Sequence, residues 1–233
     1  MKIAIVVVLF NNPDLIQKQV ECIRRFCKDE HDIILVDNSR RKEAIDAILY
    51  YNHSLKCQYY KTESEIDSSY SHAFACNFSF HKLKYNYDYF LFLDHDNFPV
   101  KEFSVKEILQ DKIIAGLGQV RLDKHYFWAG CVMFNHTKIE ENLIDLSPNR
   151  EFELDTGGNL YKVVDKYGKE ACGFFNEVHV QNPYFDKSYY NFYSMINDGV
   201  FMHFFNSSNW ANALDDTERI NSLLNILNEK MKI

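Results

Sequence analysis

Hydrophobic residues recur in two alternating patterns over the first 93 residues of the chain. Continuous apolar runs rich in Val, Ile, Leu and Phe predict strands that are covered on both faces, and apolar residues three or four positions apart predict helices between them. Strands are predicted at 3–10, 32–36, 58–61 and 89–93, and helices at about 42–51, at about 70–83 and around Leu15, Val20, Ile23 and Phe26. This alternation predicts an open, mostly parallel α/β sheet flanked by helices.

The rest of the chain has a less regular pattern. Strands are predicted at 113–120, 126–134 and 177–180, helices near 138–146 and 158–167, and a final amphipathic helix at 217–231. Aromatic residues crowd the segment 184–193. Because neither an internal repeat nor a linker interrupts the pattern, we expect a single domain that covers residues 1–233.

Composition narrows the class of protein. An apolar fraction of 46% and an aromatic fraction of 15% exclude a disordered chain. The net charge of −7 argues against general binding to nucleic acid, and no apolar run is long enough to predict a transmembrane segment. Without a signal peptide or a CxxC pair, the six cysteines are expected to be reduced thiols and the protein cytoplasmic, with a peripheral position at a membrane face as an alternative.

Polar residues follow three of the predicted strands at the point where each strand ends. Asn11 and Asn12 follow the first strand, Asp37 to Ser39 close the second, and Asp94 to Asp96 close the fourth. In open α/β sheets, ligands bind outside the carboxyl ends of the strands. The three clusters are therefore expected to converge on one crevice.

The Asp94-His95-Asp96 segment is the most informative of these clusters. Two carboxylates at the end of a buried strand repel one another unless a positive charge lies between them. A divalent cation is the simplest candidate, because Mg²⁺ and Mn²⁺ prefer oxygen ligands and commonly take one or two carboxylates with substrate phosphates. The alternative is a turn or a helix N-cap without a metal.

At these positions the chain resembles the GT-A glycosyltransferases, in particular glycosyltransferase family 2 and its relatives. The resemblance covers roughly the first 135 residues well and the rest loosely, and it is carried by the segments 6–12, 34–39, 73–77, 89–96 and 129–134. It implies a GT-A fold in a single domain, with a nucleotide-binding half at about 1–110 and an acceptor-side half at about 111–233.

The resemblance also implies a donor pocket. Its residues would be Phe10, Asn11, Asn12, Asp37, Asn77, Asp94, His95, Gly130, Ser208 and Asn209. A turn-stabilising role remains open for Asp37, a helix-surface position for Asn77 and a packing role for Gly130. Tyr126 and Trp128 either stack on a sugar or belong to the core.

A metal site and a general base follow from the same resemblance. Asp94, Asp96 and His203 would hold Mn²⁺ or Mg²⁺, with a hydrogen-bonded core histidine as the alternative for His203. Asp155, with Glu153 second, would be the general base of an inverting reaction. The alternative for Asp155 is a helix N-cap, and in a retaining reaction neither carboxylate has the role of base.

The resemblance therefore implies a metal-dependent glycosyltransferase. It would move one sugar from a nucleoside-diphosphate-sugar to a hydroxyl of a glycan or a lipid-linked glycan. One alternative is a sugar-nucleotide nucleotidyltransferase, but the Phe10 to Pro13 segment lacks the Gly-rich, basic loop that such enzymes need. The other alternative is a non-catalytic carbohydrate-binding module, which the aromatic content allows.

Overall fold

A seven-stranded sheet forms the centre of the computed structural model, which describes residues 1–63, 69–184, 192–204 and 217–232. The strand order is β3-β2-β1-β4-β7-β6-β8, with β1 (Ile3–Leu9), β2 (His31–Asp37), β3 (Gln58–Lys61), β4 (Tyr89–Asp94), β6 (Ile114–Arg121), β7 (Lys124–Asn135) and β8 (Cys172–Phe175). β7 is antiparallel to β4 and β6, and the other six strands share one direction. The predicted mostly parallel sheet is confirmed.

Helices cover both faces of this sheet. The described helices are α1 (Ile16–Phe26), α2 (Lys42–Leu55), α3 (Ser69–Leu83), α4 (Val105–Leu109), α5 (Tyr161–Tyr167) and α6 (Thr217–Met231). The odd-numbered residues of β1 pack in one apolar cluster with α1, α2 and α4, whereas the even-numbered ones pack in another with α3 and α5. Because both faces of β1 are buried, its sequence is an uninterrupted apolar run.

A second, four-stranded antiparallel sheet was not predicted as a unit. Its order is β5-β11-β10-β9, with β5 (Asn97–Pro99), β9 (Glu177–Gln181), β10 (Phe192–Ile196) and β11 (Phe201–His203). β5 follows directly after Asp96, and β11 pairs with it so that His203 lies opposite Asn97. The small sheet therefore carries His203 to the end of β4, while α6 packs on its apolar side.

The predicted helix at 138–146 is wrong. This part of the chain contains two short 3₁₀ turns, His136–Lys138 and Glu141–Leu143. Polar side chains bind the backbone here instead: Asn135 accepts a hydrogen bond from the N–H of Thr137, and Asp145 accepts one from the N–H of Ser147. Such local bonds compete with helix formation.

Two further findings bear on the expected class of protein. All six cysteines are free thiols, and five of them are buried. Among the described residues, no helix has the length and apolar character that crossing a bilayer requires.

Candidate active site

The ends of β1, β2 and β4 meet at one edge of the large sheet. The N–H of Asn11 donates to the hydroxyl of Ser39 at 2.8 Å, and the side chain of Asn11 accepts from the N–H of Arg40 at 2.9 Å. The N–H of His95 donates to the carbonyl of Val8 at 3.3 Å. The three polar clusters therefore lie together, and the neighbouring residues Phe10 and Asn12 are buried.

Asp37 is fully buried beneath this edge. Its carboxylate accepts hydrogen bonds from the hydroxyl of Tyr59 and from the N–H of Ser39, both at 2.8 Å. Burial and the hydrogen bond to this carboxylate raise the pKa of Tyr59, which holds the proton on the phenol. These contacts are those of a turn-stabilising aspartate, and a role in nucleotide binding remains a prediction.

The segment from Asp94 to Asp96, the acidic turn, joins the two sheets. Asp94 is the last residue of β4 and has 21% of its side chain exposed, whereas Asp96, two residues later, has 4% exposed. Gln19 of α1 donates from Nε2 to the carbonyls of Asp94 and Asn97, at 2.7 and 2.8 Å. The N–H of Phe204, just after β11, donates to the carbonyl of Asp96 at 2.8 Å. The turn is therefore held from both of its sides.

His72 supplies a positive charge to Asp94. Its Nε2 lies 2.7 Å from Oδ1 of Asp94, and both side chains are largely buried. Burial disfavours the imidazolium, but the charges and hydrogen bonds of Asp94 and Cys76 together outweigh burial and hold the pKa of His72 well above its ordinary value. Burial also disfavours the Asp94 carboxylate, yet His72 holds the pKa of Asp94 below its ordinary value. The two residues therefore form a buried ion pair.

His72 was missed from the sequence, although a signal was present. His72, Cys76 and Phe80 are four residues apart and form one stripe on α3. Cys76 and Phe80 are fully buried in the core. A histidine on an apolar helix stripe that faces the end of an acidic strand is a candidate partner for the carboxylate there.

His203 lies beside the acidic turn. Its Nε2 is 3.7 Å from Oδ1 of Asp96, and its ring packs on the indole of Trp128 with centroids 4.8 Å apart. Burial lowers the pKa of His203, so the imidazole is neutral near pH 7. A Cβ on Gly130 would lie 2.2 Å from the Trp128 ring and 2.6 Å from Oδ2 of Asp94, so this glycine lets the indole and the carboxylate approach.

The metal-binding side chains at this site fit a divalent cation whose remaining coordination positions are filled by substrate. Within the described ranges, no group of three or more His, Cys, Asp or Glu side chains forms a ready-made metal cage. The carboxylate of Asp96 and the neutral imidazole of His203 are nevertheless both metal-binding groups. Mg²⁺ and Mn²⁺ need no protein cage, because waters and substrate phosphates commonly fill the remaining positions.

Asp155 reaches the same site from the second half of the chain. Its carboxylate accepts hydrogen bonds from the hydroxyl of Ser69 and from the N–H of Thr156. Ser69 begins α3, and His72 is three residues further on, so both project from one face of the helix. Asp155 and Asp94 are therefore bound from the same face of α3. The N-cap alternative does not hold, because the following 3₁₀ turn, Gly158–Leu160, is capped at Gly157.

Glu153 has a different position. Its side chain is exposed, its φ is +54°, and its carbonyl accepts a hydrogen bond from Arg121 near the tip of the β6–β7 hairpin. The side chain of Asp155, in contrast, binds the start of α3.

Comparisons with known proteins show the fold. No family model and no curated protein matches the sequence. The mannosyltransferase PcManGT from Pyrobaculum calidifontis, solved in complex with GDP-Man and Mn²⁺, matches with a TM-score of 0.51 and 12% identity over 74% of this chain and 54% of that one. The chain has the GT-A glycosyltransferase fold. It spans about half the length of the mannosyltransferase.

Two further solved structures are similar at a lower level. The galactosyltransferase LgtC, in complex with donor and acceptor sugar analogues, matches with a TM-score of 0.43 and 12% identity over 73% of this chain and 72% of that one. TarS 1–349 of S. aureus, in complex with UDP-GlcNAc, matches with a TM-score of 0.41 and 12% identity over 63% and 48%.

The described contacts of Asn77, which is predicted in the donor pocket, are not to the acidic turn. Asn77 binds the loop that follows β7: its amide donates to Ser147 at 3.0 Å, and its oxygen accepts from the N–H of Leu146 at 2.9 Å. Ser208 and Asn209 lie outside the described residues. Donor binding by these three residues remains a prediction.

The His72–Asp94 pair is expected to stabilise the GT-A fold. We expect His72→Ala to lower the free energy of unfolding by about 3 kcal/mol, because it leaves a buried carboxylate without its partner. The double variant His72→Ala/Asp94→Ala should lose less than the sum of the two single variants. Urea unfolding at pH 7 with EDTA measures the cycle.

His81→Ala is the matched control for this cycle. His81 is exposed on the same helix, so its removal should change the free energy of unfolding by less than about 0.5 kcal/mol. Additive losses in the double variant would show that His72 and Asp94 do not interact.

Proposed function

We propose that the protein is a metal-dependent glycosyltransferase that moves one sugar from a nucleoside-diphosphate-sugar to a hydroxyl of a glycan or lipid-linked glycan. The observation that carries the proposal is the acidic turn at the carboxyl edge of a GT-A sheet, with His203 beside Asp96 and with Asp155 bound to the same helix face as Asp94. The GT-A mannosyltransferase with GDP-Man and Mn²⁺ supports the same chemistry.

The two halves of the chain have separate tasks in this proposal. Residues 1–110 bind the nucleotide at the ends of β1, β2 and β4, where Phe10, Asn11 and Asn12 lie beside the acidic turn. Residues 111–233 supply His203 and Asp155 and present the acceptor. The free cysteines are compatible with a cytoplasmic location, at a membrane face if the acceptor is a lipid-linked glycan.

Asp96 and His203 would hold Mn²⁺ or Mg²⁺, with Asp94 beside them. When bound, the cation supplies positive charge that stabilises the diphosphate as it leaves. The buried pair of His72 and Asp94 lies at this site, and Gly130 leaves room for both the Asp94 carboxylate and the indole of Trp128.

Asp155 is the general base of the proposed inverting reaction. It takes the proton from the acceptor hydroxyl while that oxygen forms a bond to the anomeric carbon and the bond from that carbon to the diphosphate breaks. The hydrogen bond from Ser69 orients the carboxylate through Oδ1. Glu153, which is exposed near the hairpin tip, is not assigned this role.

A thermal-shift screen of UDP-, GDP-, dTDP- and CMP-sugars, with and without Mn²⁺, tests the proposal. A ligand that binds the native state at 100 times its Kd stabilises it by about 2.7 kcal/mol. We therefore expect one donor to raise Tm by several degrees, and to do so when Mn²⁺ is present. Stabilisation by none of the donors would contradict a nucleotide-sugar site, and equal stabilisation without the metal would contradict metal dependence.

A further inference from the structure

Gln19 is a fully buried amide that faces the acidic turn from α1. Its Nε2 carries two hydrogens, and both are used: one bond goes to the carbonyl of Asp94 and the other to the carbonyl of Asn97. These carbonyls lie on either side of Asp96 in the sequence, so one side chain binds both ends of the turn. In the part of the chain that the structure describes, no other side chain donates to either carbonyl.

The oxygen of the Gln19 amide lies in an energetically unfavourable environment. Oε1 of Gln19 is buried and lacks a hydrogen-bond partner among the described residues. A buried carbonyl oxygen without a partner costs folding free energy, and Ile16, Val20 and Ile23 around it on α1 are apolar. A polar residue that interrupts the apolar face of a helix, and that faces the end of an acidic strand, is typical of a residue that serves function rather than stability.

The two bonds of Gln19 join the two ends of the turn. Asp94 is the last residue of the β4 ladder, opposite Val8, and Asn97 is the first residue of β5, opposite His203. Among the described residues, Gln19 is the one whose side chain binds both of these ends. Gln19 holds these two carbonyls on one nitrogen. A side chain outside the turn therefore helps to hold the backbone that carries the Asp94 and Asp96 carboxylates.

We infer that Gln19 is a positioning residue that sets the two carboxylates of the acidic turn for a divalent cation. The inference rests on the proposed function. Groups that orient metal ligands without touching the metal typically change metal affinity by 10- to 100-fold when they are removed. The loss of Gln19 should therefore weaken binding of the cation while the fold persists.

Mn²⁺ titrations followed by electron paramagnetic resonance test the inference, first with Mn²⁺ alone and then with GDP or UDP added. Gln19→Leu removes both donors at similar volume and should weaken Mn²⁺ binding by 10- to 100-fold. In a transfer assay, the half-saturating Mn²⁺ concentration should rise, while kcat at saturating Mn²⁺ stays near the wild-type value. Gln19→Met, a flexible apolar replacement, should behave in the same way.

Val20→Ala is the matched control. Val20 is the next residue of α1, is fully buried, and has no hydrogen bond to the turn, so its truncation should lower Tm but leave Mn²⁺ affinity within twofold. Mn²⁺ affinity within twofold of wild type in Gln19→Leu would overturn the inference. Failure of both Gln19 variants to fold would overturn it too, because Gln19 would then be required for folding. Absence of Mn²⁺ binding in the wild type would instead contradict the proposed function.

Discussion

Asp96→Asn is expected to abolish Mn²⁺-dependent transfer and donor hydrolysis, with kcat/KM lower by on the order of a thousandfold. The carboxylate of Asp96 is nearly inaccessible to solvent and lies beside the neutral His203. Asparagine keeps the shape of the side chain but removes the negative charge that a hard cation needs. The charge stabilisation lost is worth several kcal/mol in comparable sites, and each 1.36 kcal/mol changes a rate about tenfold.

Asp123→Asn is the control for this substitution. Asp123 lies at the turn between β6 and β7 with a φ of +61°, a conformation that asparagine also adopts readily. The control variant should keep wild-type kcat/KM over a full Mn²⁺ titration. Mn²⁺-dependent transfer within tenfold of wild type in Asp96→Asn would refute a metal role for Asp96.

His72 changes the balance of charge at the end of β4. From the sequence, two acids at the end of a buried strand require a positive charge, and a cation was the simplest source. In the structure, His72 already provides that charge for Asp94. Asp96 and His203, a buried carboxylate beside a neutral imidazole, are therefore the pair that favours a metal ion, because both are metal-binding groups.

The large sheet could be predicted because its signals are local. β1 is apolar throughout because its alternate residues enter two different clusters, and the polar residues after β1, β2 and β4 mark the edge where ligands bind. The convergence of Asn11, Ser39 and the acidic turn followed from parallel topology and did not require side-chain detail.

The small sheet and the histidine pair could not be predicted in the same way. β5 and β11 have three residues each, which is too short for an alternating pattern to be recognised. Their pairing places His203 opposite Asn97, a contact between distant parts of the chain. His72 and Asp94 are likewise joined across a helix and a strand, so each partner is visible in the sequence but the pair is not.

Asp155→Asn is expected to lower kcat by 10²- to 10⁴-fold, the usual contribution of a positioned general base. Asparagine still accepts the hydrogen bond from Ser69, so the loop should keep its place, and the donor should raise Tm with Mn²⁺ as it does in the wild type. Glu153→Gln is the matched variant and should retain kcat within about twofold, because Glu153 is exposed near the hairpin tip. Initial rates of transfer at saturating donor, with each acceptor tried, give both values. Loss of activity in Glu153→Gln with full activity in Asp155→Asn would show that Glu153, not Asp155, is the general base.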